Sequence, residues 1–131
     1  MTWAPCFARR AGRYEQAARH HGEALALARE VADRSLEAAA LNSLGETLRA
    51  AGRAADALDH HHRARVLARD VGDAYEEVRA DEGIGCALFD TGHLAEANAT
   101  WFAALKRYAE LGVPEAHRLA LRLAPSESSS D

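Results

Sequence analysis

The sequence predicts an all-α fold: an α–α superhelix of about three helical hairpins, the first incomplete, with a carboxyl-terminal capping helix. Three observations predict it. A 40-residue register repeats along the chain, apolar residues recur at three- and four-residue steps within it, and glycines stand at its breaks. Gly12, Gly52 and Gly92 are 40 residues apart. On that register Arg13 falls on Arg53, and Ala17, Ala57 and Ala97 coincide, as do Ala24, Ala64 and Ala104. Leu27-Ala28-Arg29 falls on Leu67-Ala68-Arg69, Val31 on Val71, Asp33 on Asp73, Gly45 on Gly85 and Leu48 on Leu88. The array is expected to span residues 1–124, with repeats pivoting on Gly12, Gly52 and Gly92.

The elements follow in order. Residues 1–10 stand where the first helix of the first hairpin is due, but Pro5 replaces the glycine of Gly45 and Gly85, and Ala4 and Ala8 replace larger apolar residues. That half-repeat is degenerate or truncated. Tyr14, Ala17, His21 and Leu25 form the core face of its second helix. Leu36 to Ala51 is an amphipathic helix through Ala40, Leu41, Leu44, Leu48 and Ala51, ended by Gly52 in a left-handed position. Ala54 to Val71 carries Ala57, Leu58, His61, Ala64, Leu67, Ala68 and Val71 on one face, and Gly72-Asp73 breaks it. Asp73 with Glu76 reads as a capping box for a helix from Ala74 to Thr91. The next helix runs from Leu94 to Leu111 and stops at Gly112. Pro114 and Glu115 open a capping helix, residues 114–123, since proline and an acid both suit a helix amino terminus. Leu121 falls in register with Leu41, as if this were an unpaired first helix. Residues 125–131 read as a disordered polar tail.

Composition narrows the function. The chain has 131 residues, 48% hydrophobic and 27% charged, as in a soluble globular domain. A net charge of −4 argues against a nucleic-acid surface, which needs clustered basic residues. No apolar run approaches the roughly 20 residues of a membrane span, and the amino terminus lacks the pattern of a secretory signal. A cytoplasmic protein is expected.

The same residues resemble the tetratricopeptide repeat. Leu41, Leu44-Gly45 and Leu48 match the large apolar, apolar-small and apolar pattern of its first helix. Ala57, His61, Ala64 and Ala97, Trp101, Ala104 match the small, aromatic, small pattern of its second. The 40-residue period is similar to the kinesin-light-chain subtype. The wording of residues 44–73 also resembles repeat tracts at the carboxyl end of large bacterial transcriptional regulators. The resemblance covers about residues 12–124 and implies a scaffold that binds a protein or peptide, not an enzyme. It implies a concave groove lined by the first helix of each hairpin: Ala39, Asn42, Ser43, Glu46 and Arg49 from one repeat, and Arg79, Glu82, Gly83, Cys86, Phe89 and Asp90 from the next. Chaperone-binding members share a clamp of lysines, asparagines and arginine for a peptide carboxylate, of which only Asn42, Arg49 and Arg79 offer a partial match. Phe89 is read either as an anchor for an apolar side chain or as packing against the capping helix. The alternative function is homo-oligomerisation through the amino-terminal face of Tyr14, Ala17, His21 and Leu25.

No cofactor or metal is implied. His20 and His21 lie one register from His60 and His61, on second helices that pack roughly 8–10 Å apart. A metal needs three or four converging ligands, and no acid or thiol completes a set. His21 and His61 occupy the aromatic packing slot instead. Cys6 and Cys86 lie two repeats apart, beyond the roughly 7 Å Cα limit for a disulfide, so two free thiols are expected. No glycine-rich phosphate loop follows a strand.

Overall fold

The computed structural model describes residues 11–123, with six helices among them: α1 (Ala11–Glu30), α2 (Arg34–Ala50), α3 (Ala54–Val71), α4 (Ala74–Asp90), α5 (Leu94–Leu111) and α6 (Glu115–Leu123). Each packs against the next, and α2 also packs against α4. This is the α–α superhelix that the register predicts. The expectations for residues 1–10 and for the polar tail lie outside the described residues.

Local chemistry sets the helix ends. Gly52, Gly72, Gly92 and Gly112 all take positive φ, and α3 and α5 end at Gly72 and Gly112 as expected. Ala32 occupies the register position of Gly72 and Gly112, yet it too is left-handed, at φ 59°. The Asp33 carboxylate accepts from the Leu36 N–H, and that of Asp73 from the Glu76 N–H. The reciprocal half of the expected box is absent, because Glu76 turns inward to Asn42 and Arg79. At the amino-terminal end α1 begins at Ala11, ahead of the register equivalents Ala54 and Leu94, so Gly12 lies inside a helix rather than in a turn.

Two apolar clusters make the core. The first joins Leu25, Ala40, Leu41, Leu44, Ala64 and Ala80. The second joins Val78, Cys86, Ala97, Trp101, Ala104, Tyr108 and Leu119. Leu121 departs from its expected place: it is 65% exposed, while Leu119 is fully buried. Nothing described packs on the far side of α6, so one stripe, Ala116, Leu119 and Leu123, turns to meet α4 and α5, and the helix rotates off the register.

Between the clusters runs a buried polar joint. The His61 Nδ1–H donates to Asn42 Oδ1 at 2.8 Å. The Asn42 amide donates to both the carbonyl and the side chain of Glu76, each at 3.0 Å. Asn42 accepts through its oxygen, so His61 carries its proton on Nδ1. The ring sits between two glycines, one from each flanking helix. A Cβ added at Gly45 would fall 2.5 Å from His61 Nε2, and one at Gly83 would also collide with the ring. Trp101 repeats the arrangement one register later, where a Cβ at Gly85 would fall 2.6 Å from the indole. The glycines are the slots into which the second helices seat their large side chains.

Candidate functional site

The first helices of the hairpins, α2 and α4, together with α6, make one face. A cavity of about 240 Å³ opens there between Glu46, Arg49, Arg79, Glu82, Cys86 and Arg118, with His61 and Gly83 at its floor and Arg122 at its edge. Helix periodicity builds it: Glu46 and Arg49 are three residues apart on α2, as are Arg79 and Glu82 on α4, so each pair points the same way.

Most of these charges are matched. Arg79 donates to Glu46 at 2.9 and 3.0 Å, to Glu76 at 3.1 Å and to the Ser43 hydroxyl at 3.0 Å. Burial opposes its charge, but Glu46 and Glu76 outweigh burial and raise its pKa above the usual arginine value. Arg49 grips Asp90 through two bonds, at 2.7 and 3.1 Å. Glu82 accepts both Arg118 bonds, at 2.7 and 2.9 Å, and the Tyr108 hydroxyl at 3.0 Å. Burial works against that carboxylate, yet Arg118 and Tyr108 hold it below the ordinary range. Bidentate guanidinium–carboxylate pairs of this kind fix geometry as well as charge.

The structure brings together Glu46, Arg49, Arg79, Glu82 and Cys86. Ser43 and Ala39 lie half-buried behind Arg79, which also reaches the Ala39 carbonyl at 3.4 Å. Asp90 is present as the partner of Arg49. Asn42 does not line the groove: it is 0% exposed, its amide and oxygen spent on Glu76 and His61. This leaves no asparagine for a carboxylate clamp, and both arginines of the partial match already hold acids.

Phe89 stands apart, 48% exposed, with its ring 5.6 Å from that of Trp101. It borders a second cavity of about 340 Å³ with Asn98, Trp101, Phe102, Arg122 and Leu123. Its ring contact is with Trp101 of α5, and it still faces solvent beside α6. Arg118 and Arg122 were not legible as groove residues. A signal existed for one of them, since Arg122 is one register from Glu82, but the reach of Arg118 depends on the rotation of α6.

The remaining candidates resolve simply. Cys86 is a buried free thiol, and Cys6 lies outside the described residues. Among the described residues no group of three or more histidine, cysteine or carboxylate side chains is placed to hold a metal. His20 lies near Glu23 on its own helix, at 3.9 Å. No described helix is long and apolar enough to cross a membrane.

Residues 7–70 match the tetratricopeptide repeat family, whose repeats are protein-interaction scaffolds. No curated protein matches the chain. The match ends at the close of the α2–α3 hairpin, and the same hairpin geometry continues through α4, α5 and α6. The glycine-seated aromatic slots and the stacked hairpins make the described chain an α–α superhelix, and over residues 7–70, a little under half of its length, it is similar to the tetratricopeptide repeat family.

Proposed function

We propose that the chain is a protein- or peptide-binding scaffold that holds its partner along the face of α2, α4 and α6, and that it serves as the regulatory or sensory portion of a bacterial transcriptional regulator in the cytoplasm. The observation that carries the first part is the groove itself. Three helices from successive repeats contribute paired, positioned charges to one open cavity of about 240 Å³. Groups fixed in advance lose less entropy on binding, which is how a repeat surface gains affinity for an extended segment. The regulator role rests on the resemblance of residues 44–73 to such tracts. The groove residues act by contact with the partner, not by catalysis.

Homo-oligomerisation through α1 has less support. Leu25 is buried, and Tyr14, Ala17 and His21 are half-buried rather than open.

The test is binding with a local block. Peptides selected from a random displayed library against the whole chain should lose at least about tenfold in affinity on Arg49→Glu, which removes a groove contact. They should be indifferent to Val66→Asp, at a position 61% exposed on α3. The opposite pattern, loss with Val66→Asp alone, would move the binding surface to the other side of the stack. Light scattering at two concentrations settles the alternative, since a dimer that Tyr14→Glu dissociates would replace the groove as the primary interface.

A further inference from the structure

A second cavity lies beside the groove at its α6 end, and its lining differs in the kind of side chain it presents. The central cavity is lined by paired charges. The second cavity, of about 340 Å³, is walled by Phe89, Trp101, Phe102 and Leu123 with Asn98 at its rim. Arg122 borders both cavities. Two of the apolar walls face water, Phe89 at 48% and Phe102 at 55% exposure, an unusual amount of ring surface to leave uncovered beside a cavity.

Arg122 is the asymmetric member of the groove arginines. Arg49 holds Asp90, Arg79 holds Glu46 and Glu76, and Arg118 holds Glu82. Arg122 instead lies 4.8 Å over the Trp101 ring and donates to Cys86 Sγ at 3.7 Å, with no carboxylate paired to it among the described residues. Glu82 senses its charge, but both Glu82 oxygens are already taken by Arg118 and Tyr108. A guanidinium stacked on an aromatic face keeps its outer N–H edge available to a planar acid.

From these observations we infer that the α6 end of the groove is a specificity subsite for a peptide bearing a large apolar or aromatic side chain next to a carboxylate. The apolar side chain enters between Phe89, Trp101, Phe102 and Leu123, and the acid pairs with Arg122. The inference rests on the peptide-binding reading above and adds to it the chemistry of the segment bound.

The experiment uses the full chain as bait for a random displayed peptide library, with Arg122→Gln and Phe89→Ala as parallel baits. Both positions are exposed but touch Trp101, so the melting temperature of each variant is checked against that of the native chain. Selection on the native chain should enrich an aromatic or large aliphatic residue within a position or two of aspartate or glutamate. A synthetic consensus peptide should weaken about tenfold when its acid becomes the amide, and that difference should vanish on Arg122→Gln. Phe89→Ala should weaken the acid and amide peptides alike. Enriched peptides without the apolar–acid pair would overturn this subsite and leave the peptide-binding reading standing. Selection of no peptide at all would overturn both.

Discussion

Ala32 is the one described non-glycine residue with positive φ. Its register partners Gly72 and Gly112 adopt the same conformation without a Cβ to strain it. Replacing Ala32 with glycine should therefore stabilise the fold by about 0.5–1 kcal/mol, strain relief exceeding the added freedom of the unfolded chain. The urea midpoint measures it, and an unchanged or lower midpoint would mean that the α1–α2 turn is unstrained. His61 is the second informative residue. Burial lowers its pKa to about 4, with Arg79 and His60 acting in the same direction and Glu46 and Glu82 against it. The folded state thus binds the His61 proton less readily than the unfolded chain does. The stability this provides is complete above about pH 6.5 and is lost as pH falls towards 4, by about 3 kcal/mol in all. Urea titrations at pH 7 and pH 4.5 should show a steeper loss in the native chain than in His61→Phe. Equal losses would mean that the imidazole can be protonated in place.

At the scale of the element, the helices are legible and their contacts less so. The ends of α3 and α5 follow from glycine stops, and those of α2 and α4 from aspartate caps, all signals that lie within one turn. The slot for His61 was half visible: the small, aromatic, small pattern identified the ring, and the register identified Gly45. Gly83 comes from a different register position and a different hairpin, so only the packed structure reveals it. The two-sided slot has a direct consequence. Gly45→Ala should destabilise by about 1–3 kcal/mol through overpacking against the ring. Gly22→Ala, within α1 where an added Cβ would meet nothing within 4 Å, should stabilise by about 0.5–1 kcal/mol from helix propensity. Thermal melts of the two variants should move in opposite directions. A shared direction would mean that helix propensity, not the fit of the ring, governs position 45.

Across the whole molecule, α4 carries the cross-links. Its Glu77 and Asp81 gather Arg69 and Arg65 from α3 and Arg107 from α5. Its Glu82 meets Tyr108 of α5 and Arg118 of α6. The Glu82–Arg118 pair spans 36 residues of sequence, and α6 is turned off the register by burial of Leu119. Periodicity therefore puts Glu46, Arg49, Arg79, Glu82 and Cys86 on one face, while Arg118 and Arg122 of α6 join them only in the packed stack. Hydrogen-bond pairing is invisible to periodicity as well, which is why Asn42 reads as a groove residue and proves to be a buried bracket between His61 and Glu76. If Arg118 clamps α6 to α4, Arg118→Ala should raise hydrogen exchange over residues 115–123 several-fold while α2 and α3 keep their protection. Uniform protection in the variant would assign the seating of α6 to Leu119 alone.

The most direct test of the groove is amide hydrogen exchange on the full chain with and without the tightest peptide selected from the library. Protection should gather on α2, α4 and α6, around Glu46, Arg49, Cys86 and Arg122, with α1, α3 and α5 little changed. Protection confined to α1, or to the exposed sides of α3 and α5, would contradict the assignment of the binding surface to the first helices.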